Sequence, residues 1–431
     1  MTSDAYDKNY QIISSRWPSL AGKLGCLTDG SAPFIEDILR LDELVTIKVD
    51  GKHLTSRYDR HHEAEIQAAF LTGDAEAINV FGFALGDLSL QLLERLTAQI
   101  HIYIFDLHIF RYVISKLDFS EMFSNLRIVL HYADEEIVPE RPYVVSPACL
   151  ELADNDCLFL RDKVQIELAT PYIRERFDKY SETWCIQIQE NYQNIDIDHD
   201  VNILFDSASD KKSVVIGAGP SLDTLFDKIR EHQKQGDILI SVDGALSSLL
   251  NNNIIPDYVV TLDGQKDKLQ NLFLKKHLIL SNNISLIYFP VVHHSIVELW
   301  PGKRYVSYSD LSIFDEVNVV KPRGKLFVSG SVAHPAVDLA VKMGCSEIYL
   351  AGLDFSYPNN KTHVDGFYYQ KSVEKNGHAK YILNGMGESV VTIQNLVVYL
   401  RDLEAYIGRQ EGVVFNNMSK QGALIRGVGY F

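Results

Sequence analysis

The stretch VVIGAGPSLDTLFDKI, residues 214–229, decides how the chain is read. Val214, Val215 and Ile216 are β-branched and predict a strand. Gly217 and Gly219 carry no Cβ, so the backbone can turn sharply and admit a close neighbour. Pro220 suits the first position of a helix, where a missing N–H leaves no intrahelical bond unmade. Ser221 adds a hydroxyl and an N–H, and together with a helix start the turn reads as an anion site. The dinucleotide fingerprint requires a third glycine where Leu222 stands, and Asp223 would repel a phosphate placed too near. A nicotinamide pyrophosphate is therefore a poor guest. For the motif alone, a tight structural turn without a ligand is the competing reading.

Outward from this turn, apolar runs alternate with helical text. VVIG, ILISV, YVVTL, LIYF, KLFVS and EIYLAG read as strands, with helical segments between most of them. That alternation predicts an α/β fold with a mostly parallel, doubly wound, Rossmann-like sheet over residues 206–431. Upstream, residues 1–160 read as a smaller N-terminal α/β domain. There SRYDRHHEAEIQAAFL is helical, with Ile66, Ala69 and Phe70 as its apolar positions. AINVFGFALGDLSLQLLERL followed by IHIYIFD is a βαβ unit ending at Asp106. Its glycine turn resembles that of methyltransferase-like Rossmann domains. Phe83 and Leu85, between Gly82 and Gly86, would crowd a cofactor, so this domain is read as one that docks a protein acceptor. Residues 161–205 read as a helical connector.

Composition narrows the class. Of 431 residues, 46% are hydrophobic and 23% charged, a globular balance. The net charge of −16 argues against nucleic acid as a default partner. No apolar run is long enough to cross a bilayer. The start, MTSDAYDKNY, has neither the basic nor the apolar region of a secretory signal. Five scattered cysteines with no C-x-x-C pair fit a reducing compartment, which places the protein in the cytoplasm.

In an open parallel sheet, ligands bind beyond the carboxyl ends of the strands. Three predicted strands end in polar punctuation: Asp243–Gly244, Asp263–Gly264, and Gly352 with Asp354. A fourth segment, FVSGSVAHPAV, sets Ser329, Gly330 and Ser331 before a helix. Each aspartate alone is more often a cap or turn former. Several ending strands of one sheet are a stronger sign. Asp243 follows Gly219 by 24 residues, the place of a ribose-binding acid in Rossmann domains.

Together, IGAGPSL, SVDGALSSLLNNNIIPDYVVTLDG, VSGSVAHPAVDLAVKMGCSEIYLAGLDFS and KTHVDG resemble the motility accessory factor family, bacterial proteins linked to glycosylation of flagellin with nonulosonic acids. SRYDRHHEAEIQ, NVFGFALGD and VVFNNMSKQGALIRGVGYF extend the similarity from about residue 55 onward. The family's central domain is similar to small bacterial sialyltransferases and to an archaeal hydroxymethylpterin pyrophosphokinase. The resemblance implies that residues 206–431 bind a nucleotide sugar. It places a CMP-linked donor near Gly217, Gly219, Pro220, Ser221, Asp243, Gly244, Asp263, Ser329, Gly330 and Gly352. It departs from the sialyltransferases at Asp243, where they carry asparagine, and in lacking a clean match to their phosphate-steadying tyrosine pair.

The implied reaction is transfer of a CMP-activated nonulosonic acid to Ser/Thr hydroxyls of flagellin. The departing phosphate then needs hydrogen-bond donors, for which Tyr357 and Lys361 are candidates beside the turn amides. The accepting hydroxyl needs a base near neutrality, and His363 in the loop NNKTHVDG is preferred, with His378 second. Asp354 completes the candidate catalytic set. His293 and His294 are read as packing or donor contacts. No tightly bound cofactor is expected. Mg²⁺ could sit between Asp243 and Asp263, as a pyrophosphokinase acting on a pterin alcohol would require. A non-catalytic flagellin chaperone is the remaining alternative.

Overall fold

The computed structural model describes residues 4–28, 32–41, 43–71, 75–134, 137, 139–262, 264, 281–365 and 380–430, with 169–179 as backbone only. The chain forms two compact units, Met1–Thr170 and Pro171–Phe431. The helix Leu158–Glu190 runs through the division.

In the first unit, β1 (Ile35–Arg40), β2 (Glu43–Val49) and β3 (Lys52–His53) form an antiparallel sheet. β4 (Ala77–Phe81), β5 (Gln99–Ile104), β6 (Ile128–Tyr132) and β7 (Tyr143–Val145) form a parallel one in the order β6-β5-β4-β7. The predicted βαβ unit is present: β4 leads into the helix Asp87–Arg95 and then β5. Asp106 ends that strand and caps the helix Leu107–Lys116, its carboxylate accepting from the Ile109 N–H at 2.8 Å. The helix Arg60–Ala69 forms as expected but turns a different face inward. Ala64 and Ala68 are buried, whereas Ile66 and Phe70 are exposed. The small side chains win because this helix lies close against Asp87–Arg95, leaving little room between them.

The second unit is an α/β domain with a parallel sheet that winds outward in both directions. Its strands are β8 (His199–Asp200), β9 (Lys212–Ile216), β10 (Ile238–Val242), β11 (Tyr258–Thr261), β12 (Ser285–Tyr288), β13 (Arg304–Val306), β14 (Glu347–Ala351), β17 (Val414–Asn417) and β18 (Gly429–Tyr430). β15 (Lys380–Leu383) and β16 (Ser389–Thr392) form a separate hairpin. Among the described residues the order is β18-β17-β14-β9-β10-β11-β12-β13-β8, every pair parallel. From β9 the chain winds one way through β10 to β13, then returns to β14 on the other side of β9. The direction of winding therefore reverses between β9 and β14, where such sheets open a crevice. All five residues of β10 are buried, as a strand covered on both faces requires.

Two expectations change. KLFVS is not a strand. Lys325 makes only an isolated bridge to Tyr308, and the Phe327 N–H donates to the Asp338 carboxylate at 2.7 Å instead of to a strand. Arg304–Val306 pairs with β12 in its place. The segment 161–205, read as helical, also contributes β8, paired with β13. Ahead of β8, buried Asn191 donates its side-chain amide to the carbonyls of Pro290 (3.0 Å) and Val292 (2.7 Å). Replacing Asn191 by Leu strands both carbonyls in the core. We expect Asn191→Leu to lower the unfolding free energy by about 2–3 kcal/mol in urea titrations; an unchanged midpoint would show that Asn191 is not an anchor.

Candidate functional site

The glycine turn and the end of β14 meet at the winding reversal. The Gly217 N–H donates to the Ala351 carbonyl and the Gly219 N–H to the Gly352 carbonyl, each at 2.8 Å. The Ser221 N–H donates to Asp354 Oδ2 at 2.8 Å. Only glycine allows this approach. A Cβ on Gly219 would stand 2.4 Å from the Asp354 carboxylate, and one on Gly217 would stand 2.5 Å from the Gly352 carbonyl. The sequence therefore brings Gly217, Gly219, Pro220 and Ser221 together with Gly352 and Asp354. It does not leave the turn's amides open: those of Gly219 and Ser221, expected to face a phosphate, are bonded within the protein. Pro220 does start a helical turn, but it is the short 3₁₀ segment Pro220–Thr224; the α-helix begins at Phe226. The expected full helix N-terminus at Ser221 is thus replaced by a turn whose amide the Asp354 carboxylate caps.

Asp354 is buried, and desolvation pushes its carboxyl up to about 6, against the lowering effect of the Ser221 hydrogen bonds. Gly422 packs on its other side, where a Cβ would fall 2.6 Å from Oδ1. Gly422 was not singled out by spacing, because it reaches Asp354 from the far end of the chain.

Beyond β14 the chain takes left-handed backbone at Phe355, Asn359 and Asn360, with φ between 45° and 57°. Such conformations gather at functional sites. The loop then folds over the turn. The Val364 N–H donates to the Ala218 carbonyl at 2.9 Å, and the Asp365 N–H to Asp223 Oδ1 at 3.0 Å. Lys361 pairs with Asp365 at 3.0 Å and with Asp223 at 3.6 Å, so its charge is already balanced. His363 lies in this loop, and burial lowers its imidazole to about 4. It is neutral at physiological pH, a weaker base than an unperturbed histidine. Tyr357 donates its backbone N–H to Val391 in β16 at 2.8 Å, and burial raises its phenol.

At the end of β10, Asp243 is the first residue of the helix Asp243–Asn251, whose N-terminus no side chain caps. Its Oδ1 accepts from the Gly244 N–H at 2.7 Å and its Oδ2 from the Thr261 hydroxyl at 2.8 Å. Asp263 and His378 lie outside the described residues. Ser329 and Gly330 are held by the helix Gln394–Ile407: the Ser329 hydroxyl donates to Asp402 at 2.5 Å, and Gly330 lies against the Tyr399 ring. Sequence reading missed this helix as their partner, since it follows them by some 70 residues. His293 accepts from the Ser295 N–H at the start of the helix His294–Leu299, and His294 pairs with Glu190 at 2.9 Å.

Residues 186–360, which hold the glycine turn and the end of β14, match the family model of the MptE-like 6-hydroxymethylpterin diphosphokinases. The chain carries an MptE-like region. Its similarity to the 6-hydroxymethyl-7,8-dihydropterin pyrophosphokinase of Methanothermobacter thermautotrophicus is 32% identity over 145 residues. That match covers 33% of this chain and 56% of the relative, so it spans about half the relative's length. A solved structure of a MAf glycosyltransferase from Magnetospirillum magneticum AMB-1 aligns at 17% identity and a TM-score of 0.47, over 100% of this chain and 75% of that one.

In the MptE-like region, among the described residues, no group of three or more His, Cys, Asp or Glu side chains is placed to hold a metal ion. Mg²⁺ prefers ionised oxygens. Both oxygens of Asp243 already accept hydrogen bonds, and the Asp354 carboxyl is drawn toward its neutral form. The pair expected to hold Mg²⁺ is Asp243 with Asp263, and Asp263 lies outside the described residues. No described helix in either unit is long and apolar enough to cross a membrane.

Gly219→Ala should lower the unfolding free energy by about 3 kcal/mol, because the new methyl overlaps Asp354 and Gly352. Chemical denaturation checks this, and a loss under about 0.5 kcal/mol would mean the turn yields freely. Asp354 also makes a pH prediction. Its folded pKa is raised from 3.8 to about 6, so its contribution is full below 3.8 and lost as pH rises through 6. The stability of wild type relative to Asp354→Asn should fall across that window and stay flat above about pH 7; urea melts from pH 4 to 8 measure it.

Proposed function

We propose that the chain is a glycosyltransferase that moves a CMP-activated nonulosonic acid, such as pseudaminic or legionaminic acid, onto Ser/Thr hydroxyls of flagellin, with inversion. The observation that carries the reading is the convergence at the reversal between β9 and β14. There the GAGPS turn is locked to the GLDFS strand end, and the loop with His363 is tied over both. These are the segments the resemblance assigns to a CMP donor. That resemblance runs through both units of the chain, whereas the MptE-like match is confined to residues 186–360.

In this reading the acceptor oxygen bonds to the anomeric carbon as the C–O bond to CMP breaks, its electron pair leaving with the phosphate. The hydroxyl proton passes to His363. With its pKa near 4, His363 is neutral in the absence of the donor. The negative phosphate and sugar carboxylate brought by the donor would favour the imidazolium as it forms. Tyr357 is the candidate donor in the same loop region for the developing charge, and Lys361 would have to leave Asp223 and Asp365 to join it. Asp354 would act by positioning, since its carboxylate is committed to Ser221.

A Mg²⁺-dependent pterin pyrophosphokinase is the second reading, supported by the family match of residues 186–360. A thermal-shift series separates the two. CMP with chelator present should raise the melting temperature by several degrees at saturating ligand. Stabilisation by ATP that requires Mg²⁺, with no response to CMP, would overturn the transferase in favour of the kinase. Under the transferase reading, His363→Gln should cut the transfer rate about 10²-fold or more while leaving the CMP shift intact. Normal turnover by this variant would remove His363 as the base.

A further inference from the structure

The first unit holds a cavity that the site above does not use. Its volume is about 450 Å³, within the range of small-molecule sites. It lies between the turn that follows β4, with Ala84, Asp87 and Leu88, and the turn that follows β7, with Ser146–Ala148. The chain winds from β4 to β5 and β6, then returns to β7 on the opposite side of β4. The cavity therefore sits beyond the strand ends at this sheet's own winding reversal, where parallel sheets bind ligands. The segment from His53 to Glu63 closes the remaining wall.

Phe83 and Leu85 were expected to crowd a cofactor at this turn; Phe83 does line a hollow of only about 20 Å³ beside Asp106, but neither residue lines the larger cavity. Ala84 adopts a left-handed φ of 48°, and both bulky side chains turn into the core. Phe83 packs edge-on against Phe110 and Phe119 with ring centres 5.0 and 5.1 Å away. The small Ala84 is what faces the cavity.

Three buried polar atoms on lining residues have no hydrogen-bond partner among the described residues: Arg60 Nη1, Asp87 Oδ2 and His53 Nδ1. Asp87 is 6% exposed and stands at the start of the nine-residue helix Asp87–Arg95, which no side chain caps. Its other oxygen lies 3.4 Å from Arg60 Nε and 3.4 Å from His61 Nδ1. Buried polar atoms are ordinarily paired, and here a donor and an acceptor on two contacting residues are not. An anionic ligand would meet the Asp87 carboxylate, and a cationic one would meet Arg60. A neutral ligand with two adjacent hydroxyls satisfies both, one accepting from the guanidinium and the other donating to the carboxylate. Leu54, Leu88 and Pro147 supply apolar wall, and the exposed Tyr58 ring at the rim offers a stacking face.

We propose that this cavity binds a neutral ligand bearing vicinal hydroxyls, either the ribose of a nucleoside or the pyranose of a glycan. The site is separate from the one assigned to transfer. The test is isothermal titration of the full chain with adenosine, 2′,3′-dideoxyadenosine and methyl β-D-galactopyranoside. Saturable binding of adenosine but not its dideoxy analogue identifies the nucleoside source; saturable binding of the galactoside identifies the glycan source. Asp87→Asn, which keeps the side-chain shape, and Ala148→Trp, which fills the cavity, should each weaken that binding at least about tenfold. His363→Gln should leave it unchanged, so failure here is distinct from failure of the transferase reading. The proposal is overturned if no probe saturates below about 10 mM, if the dideoxy analogue binds as well as adenosine with no galactoside binding, or if a folded variant of either kind binds as wild type does.

Discussion

The second unit depends on a single close approach, that of the turn after β9 to the end of β14. Two backbone bonds at 2.8 Å and the bond from the Ser221 amide to the Asp354 carboxylate hold the two chain segments together. The approach is possible because Gly217, Gly219, Gly352 and Gly422 have no side chains where the segments touch. It joins β9, from which the chain winds one way, to β14, the strand that begins its return. The two directions of winding part there, and the loop containing His363 is anchored to the turn by Val364 and Asp365.

This arrangement has a consequence for chemistry. A glycine turn at a strand end ordinarily offers its amides to an anion. Here an internal carboxylate occupies the role that a phosphate would have played, at the cost of burying Asp354 and raising its pKa. In the proposed transfer, stabilisation of the leaving phosphate would come from groups around the turn instead of from the turn itself. The left-handed residues between Phe355 and Asn360 shape the loop that would supply them. The first unit presents the opposite case. Its glycine turn is crowded in sequence, yet a left-handed alanine turns the large side chains inward and leaves a cavity lined by unpaired polar atoms.

Much of the fold was legible in the residues. The apolar runs at 214–216 and 238–242 form adjacent, fully buried central strands, and 347–351 pairs on the other side of the first with Ile348, Leu350 and Ala351 buried. KLFVS had the same look and failed, since its amides found Asp338 and Tyr308 while Arg304–Val306 took the neighbouring sheet position. The helix Arg60–Ala69 was legible as a helix, but its buried face was not: periodicity favours large apolar residues, whereas a close helix–helix approach selects Ala64 and Ala68.

The sequence by itself determined the strands β9, β10, β11, β12 and β14, the glycines at the β9 turn and the polar residues that end β10 and β14. These follow from local chemistry, since strand propensity, backbone freedom and capping act within a few residues of each other. Only the tertiary structure decided what those groups do. Asp354 became a latch for Ser221, Ser329 was drawn to Asp402, Lys361 was neutralised by Asp223 and Asp365, and His363 lost its basicity to burial. Each outcome depends on partners remote in sequence and on removal from water, and neither is encoded in the spacing of nearby residues.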